Sequence, residues 1–264
     1  MVNLFVAIFS FFLLLPTSIA ITKIELTESN HLLLRGDVND LSVSKVIQGI
    51  TTSKDKKILL FIDSSGGSVT AGYKLMKIIE TSGKEVTCVA SNAASMAFAI
   101  LQSCQKRLVL EDSLIMQHVM SYSIEGQEPK NYQFAQLIHR INVLMDKKQA
   151  ERIGISYEAF REKVRDDWWL FGEEAVKSNA ADEMVEVSCS EELSKKTYDE
   201  TVSGSLTTIT VTRSGCPIAP GPVDVKMVKN SPMISDQQAA QELKEILSRV
   251  VSMSFFESRL RSKK

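Results

Sequence analysis

Hydrophobic and polar positions along this chain switch repeatedly between two periods. Residues 31–38 and the unbroken apolar run from Ile58 to Ile62 predict strands, the second covered on both sides. Between them, Leu41, Val43, Val46, Ile47 and Ile50 recur at helical spacing behind Asp40, a suitable N-cap. Ala71, Leu75, Ile78 and Ile79 repeat that spacing up to Gly83, a residue able to end a helix in the left-handed region. The pattern then predicts a strand over 85–90, a helix over 94–101 and strands over 107–110 and 114–117. Repeated β-α-β units of this kind predict an α/β fold, a mostly parallel sheet with helices on both faces.

The middle of the chain reads as helix. Phe134, Leu137, Ile138, Ile141, Leu144 and Met145 form one stripe, and shorter helices are expected over 157–164 and 173–178, the last stopped at Asn179. Beyond Val187, Ser, Thr and Lys are frequent to Thr212, and Cys216 to Val223 holds three prolines. A final amphipathic helix is expected over 237–256, with Leu243, Ile246, Leu247, Val250 and Val251 on its apolar face. Arg259, Arg261, Lys263 and Lys264 give its end a basic tip. The apolar face either docks on the segment's own core or covers a functional site or a neighbouring subunit. These shifts place a boundary near Ser188, dividing a main domain, 21–188, from a small extension, 189–264.

Residues 1–20 stand apart. They contain no Asp, Glu, Lys or Arg, run apolar from Leu4 to Leu15 except for Ser10, break at Pro16 and end in Ser18-Ile19-Ala20. That pattern predicts a signal peptide, a mature chain beginning at Ile21 and export to a periplasmic or extracellular space, a retained membrane anchor being the alternative.

Composition narrows the picture. The 264 residues are 44% hydrophobic and 24% charged, enough for one sizeable core or two small ones. A formal net charge of −1 supplies no field for nucleic acid, so no nucleic-acid partner is expected. The four cysteines contain no C-x-x-C, and a Cys189–Cys216 bridge is expected to pin a loop-rich part of the extension. Cys88, in an apolar strand, and Cys104, at the end of the next helix, fit free buried thiols and a bridge equally well. With three histidines and no His-Glu-x-x-His, no metal is expected.

Four segments carry chemistry. Asp63-Ser64-Ser65-Gly66-Gly67-Ser68-Val69 follows a strand and opens a helix, a tight turn that leaves main-chain N–H groups free for an anion. Ala93-Ala94-Ser95-Met96 puts a serine at the first turn of a helix among small side chains; by itself such a serine is a cap more often than a nucleophile. His118 ends the strand Leu114 to Gln117, and it is a better candidate for a neutral-pH base than His31 or His139. Asp167 sits in an acidic turn before Trp168-Trp169-Leu170 and could orient an imidazole.

Taken in order, Ser65-Gly66-Gly67-Ser68-Val69-Thr70-Ala71-Gly72, Ala93-Ala94-Ser95-Met96, Met116-Gln117-His118 and Asp167-Trp168-Trp169-Leu170 resemble the ClpP serine proteases, from about Lys23 to Val187. The resemblance implies a ClpP/crotonase fold of repeated β-β-α units, with the helix over 134–153 as a protruding handle and the subunits assembled into a homo-oligomeric ring. It implies Ser95 as nucleophile, His118 as base, Asp167 as orienting acid, and the backbone N–H groups of Gly67 and Met96 as oxyanion donors. It implies no cofactor, and peptide or unfolded protein as substrate. An ATP-driven unfoldase would be an awkward partner outside the cell. Departures from the family pattern are Ser65 before the glycines, Val119-Met120 after the histidine, and the extension after Ser188. Rival readings are a silent ClpP-like scaffold and a crotonase-type acyl-CoA enzyme.

Overall fold

A computed structural model describes residues 21–122, 125–219 and 222–250 of the chain. The segment expected as a signal peptide, 1–20, and the basic tip after Val250 lie outside the described residues. In chain order the main domain runs β1 (Thr22–Leu26), β2 (Leu32–Val38), α1 (Asp40–Thr52), β3 (Lys57–Gly67), α2 (Val69–Thr81), β4 (Glu85–Ala94), α3 (Met96–Ser103) and β5 (Lys106–Gln117). It continues with α4 (Glu128–Ile153), α5 (Tyr157–Val164), β6 (Trp168–Phe171), α6 (Glu173–Lys177) and β7 (Glu183–Cys189).

The strands line up as β1-β7-β5-β4-β3-β2, all neighbours parallel, with β6 antiparallel to the far half of β5. β1 and β7 are additions to the sequence reading. Lys23 and Glu25 in β1, and Glu183, Glu186 and Ser188 in β7, make these strands too polar to stand out as apolar runs. The first helix is capped by Asn39, not Asp40, in a reciprocal box with Ser42.

The helices are not shared between the two faces as expected. Leu34, Leu60, Ile62, Ala90, Val109 and Ile115 meet α1 to α6 in one large cluster. The opposite face holds a smaller cluster of Leu26, Phe61, Val89, Leu108 and Val185, closed by Leu193 of the short α7 (Glu191–Lys195).

Strands expected over 107–110 and 114–117 are one strand with a detour. Ser113 makes the detour affordable by accepting from Leu110 N–H at 2.6 Å and donating to Ala90 C=O at 2.5 Å. Matching register shifts fall at Arg35/Asp37 in β2, Ile62/Asp63 in β3 and Ala90/Asn92 in β4. Past these bulges, the far halves of β3, β4, β5 and β6 lie side by side. Ser64 faces Ala93, Ala94 faces Met116, and Gln117 faces Trp168. The residues that follow on each strand are therefore brought to one rim.

Helix α4 begins six residues before the expected start at Phe134 and ends at Gly154, whose φ of 83° takes the left-handed region. At ~1.5 Å per residue it is roughly 39 Å long, and only its last turns are buried, at Met145, Asp146, Gln149, Ala150 and Ile153.

Beyond α7 the chain forms β8 (Thr197–Ser203), β9 (Thr207–Ser214), β10 (Pro222–Lys229) and α8 (Asp236–Val250). The loop-rich reading of this segment is corrected: the three strands form an antiparallel sheet of order β10-β9-β8. Thr207, Ile209, Val211 and Arg213 are buried at alternate positions of β9, a period of two hidden among serines and threonines. Leu243, Ile246 and Leu247 of α8 pack on Ile209 and Val211, so the helix docks on the extension's own sheet. Val251, also assigned to that face, lies outside the described residues. Cys189 and Cys216 are disulfide-bonded, and so are Cys88 and Cys104, which settles the alternative left open above in favour of a bridge.

Candidate active site

The rim formed by β3 to β6 gathers the four chemistry-bearing segments. Ser95 follows β4 directly, its N–H donating to Met116 C=O at 2.8 Å, and it occupies the N-cap of α3 with φ 54° and ψ −118°. Its hydroxyl makes no capping hydrogen bond, although capping is what most serines at this position do. Instead, Ser95 Oγ lies 2.7 Å from His118 Nε2. The ring belongs to the residue after β5, and its backbone N–H donates to Gln117 Oε1 at 3.0 Å. His118 Nδ1 is 3.9 Å from Asp167 Oδ1, with both side chains mostly buried.

Asp167 is held by its neighbour. Trp168 packs between Phe98 of α3 and Phe160 of α5, with ring centroids 6.1 and 6.3 Å apart, and Lys163 sits 5.0 Å from the Trp168 ring centre. Asp167 itself has φ 63°. Ser95, Asp167 and Asn179 are the non-glycine residues with positive φ among those described.

The glycine turn abuts the serine. A Cβ at Gly66 would lie 2.6 Å from Ala94 C=O, 2.8 Å from Ser95 Cβ and 2.9 Å from Met96 N. Ser64, buried, fixes this approach by donating to Gly36 C=O at 2.5 Å and accepting from Gly66 N–H at 3.1 Å. Gly67 is paired with Val38, whose C=O takes the Ser68 N–H at 2.7 Å. In a parallel ladder that alternation turns the Gly67 N–H away from β2, toward the side where β4 runs into Ser95. Gly72, one turn into α2, leaves room for the Met96 side chain: a Cβ there would sit 2.4 Å from Met96 Cγ.

Ser95, His118, Asp167, Gly67 and Met96, nominated from the sequence by resemblance, all lie at this rim. Ser64 and Gln117 stand within their sequence motifs with no role assigned to either from sequence, and sequence reasoning missed Gln149. Gln149 Oε1 accepts from Gln117 Nε2 at 2.5 Å, and Gln149 Nε2 donates to Met145 C=O at 3.2 Å. The first bond links α4 to the residue before His118, and the second holds Gln149 to its own helix. Gln149 lies three residues past Asp146 in a helix read only for its apolar stripe, and polar spacing gave no sign of its burial. His31 and His139, the other histidines, are remote in role: the His31 ring is bonded to Thr27 C=O, and burial lowers its pKa, while His139 lies on the protruding part of α4.

The described residues contain no cluster of three or more His, Cys, Asp or Glu placed to hold a metal ion. A family model for the Clp protease matches residues 18–188. The ATP-dependent Clp protease proteolytic subunit 2 of Prochlorococcus marinus (strain NATL2A) is 33% identical over 164 residues, covering 58% of this chain and 81% of that protein.

Proposed function

Because the chain belongs to the Clp protease family, we propose that it is a serine peptidase that cleaves peptide bonds through an acyl-enzyme on Ser95. The observation that carries this reading is the 2.7 Å contact between Ser95 Oγ and His118 Nε2, made by a helix-capping serine whose hydroxyl caps nothing. His118 takes the Ser95 proton as Oγ attacks the substrate carbonyl, then gives it to the leaving amine; water repeats the sequence to free the acyl group. Asp167 holds the ring's other nitrogen. The 3.9 Å separation shortens to a hydrogen bond as substrate excludes water, in keeping with the looseness of such contacts in free enzymes. The N–H groups of Gly67 and Met96 receive the negative charge on the carbonyl oxygen, and a donor of this type is worth ~3 kcal/mol of barrier.

Export and ring assembly belong to the same proposal. Two disulfides fit an oxidising compartment, and the exposed apolar stripe of α4 fits a subunit contact. A silent scaffold is the second reading, favoured by the same 3.9 Å gap. Intact mass after a fluorophosphonate label decides between them. One adduct on the wild type and none on Ser95→Ala is the expected outcome; an unlabelled, folded wild type makes the chain a scaffold.

A further inference from the structure

A narrow cleft of about 60 Å³, open to solvent, begins at Ser95 and His118 and runs back toward α4. Val69, Met96 and Met145 give it apolar walls. Asn142, Asp146 and Gln149 of α4 also line it, and with Met145 they fall at the i, i+3, i+4, i+7 positions of one helix face.

The hydrogen bonding of these polar groups is uneven. Gln149 Oε1 is taken by Gln117 Nε2, and Gln117 Oε1 by the His118 N–H. Asp146 is buried, its side chain 7% exposed, and its Oδ2 accepts from Arg161 Nη1 at 2.9 Å. Arg161 approaches from α5 and is not part of the cleft lining. Asp146 Oδ1 has no hydrogen-bond donor among the described residues. The ion pair thus presents its negative end to the cleft. An apolar guest would strip water from that oxygen and offer nothing in return, whereas an ammonium or guanidinium would satisfy it.

Resting on the peptidase reading above, we propose that this cleft receives the substrate side chain on the acyl side of the cleaved bond and that Asp146 makes it selective for lysine or arginine. The methylenes of such a side chain lie along Val69, Met96 and Met145, and its charged end reaches Asp146 beside the Asn142 amide. A glutamate at this position meets the Asp146 carboxylate and is rejected.

The test uses three fluorogenic peptides alike except for lysine, norleucine or glutamate before the scissile bond. The wild type should show kcat/KM for lysine about tenfold above norleucine, the size one charge-assisted contact supports, with glutamate slowest. Asp146→Asn should bring the lysine-to-norleucine ratio to about one, and Asn142→Asp, which leaves the Arg161 pair intact, should raise it. Asn142→Asp carries the test if Asp146→Asn fails to fold. A wild type that prefers norleucine, or a ratio unmoved by both substitutions, overturns the selectivity. If Ser95 is still labelled and the norleucine peptide is cut, the peptidase reading survives that failure. Absence of both labelling and cleavage removes the two together.

Discussion

Ser95 owes its setting to residues that do no chemistry. Its positive φ is a conformation that costs a non-glycine residue ~1–3 kcal/mol and persists only where the surroundings enforce it. They do so through the Met116 carbonyl, the Gly66 backbone and the helix it starts. Gly66→Ala is therefore expected to lower kcat/KM by ~100-fold or more, the scale of one lost oxyanion donor, because the new methyl would displace Ala94 C=O or Met96 N. Far-UV circular dichroism should stay near wild type while fluorophosphonate labelling slows in parallel. A fully active Gly66→Ala protein would show that the glycine turn and the serine are not coupled.

At the scale of elements, the extension is joined to the sheet by few but specific contacts. Arg35 of β2 pairs with Asp63 at 3.1 Å and donates to the Pro217 carbonyl, and the Cys189–Cys216 bridge begins at the last residue of β7. Within the extension, Glu242 of α8 grips the turn between β8 and β9, accepting from Thr207 Oγ1 at 2.7 Å, Ser205 Oγ at 2.8 Å and Leu206 N–H at 3.0 Å. Chiefly through the Thr207 hydroxyl, these donors pull its pKa down from 4.5 to about 2. A carboxylate depressed in the folded state stabilises fully above its unfolded pKa, and that contribution is lost as pH falls from about 4.5 through about 2. Thermal melts across this window should therefore show a steeper acid loss for the wild type than for Glu242→Gln. Equal slopes would mean that the clasp adds nothing to the hold of α8 on its sheet.

For the whole molecule, the stretch of α4 before its last turns is left uncovered among the described residues. Tyr132, Phe134, Leu137 and Leu144 are between 44 and 62% exposed, on a helix whose end alone is anchored in the core. Such a stripe suits a partner helix from a second copy. Leu137→Asp should shift the oligomer to smaller species in light scattering at micromolar concentration, leaving the monomer's secondary structure intact, since Leu137 is exposed. A wild type that is monomeric under those conditions would remove the ring from the proposal.

Period and punctuation in the sequence were enough for the α/β alternation, because buried strands such as Ile58 to Ile62 and helices such as Tyr157–Val164 must repeat apolar residues at their own spacing. The order of the motifs was enough to nominate Ser95, His118 and Asp167. Polar strands were illegible, since Lys23 and Glu25 in β1 and Glu186 and Ser188 in β7 break the apolar runs, and so was the β8–β10 sheet, whose threonines conceal the alternation of Ile209 and Val211. Three things were decided only in tertiary structure: which face of the sheet the helices cover, that Cys88 meets Cys104, and that the buried Asp146 lines the same cleft as Ser95. Each depends on contacts between segments far apart in the chain, and local spacing carries no record of what a side chain meets after the bulged strands have aligned their ends.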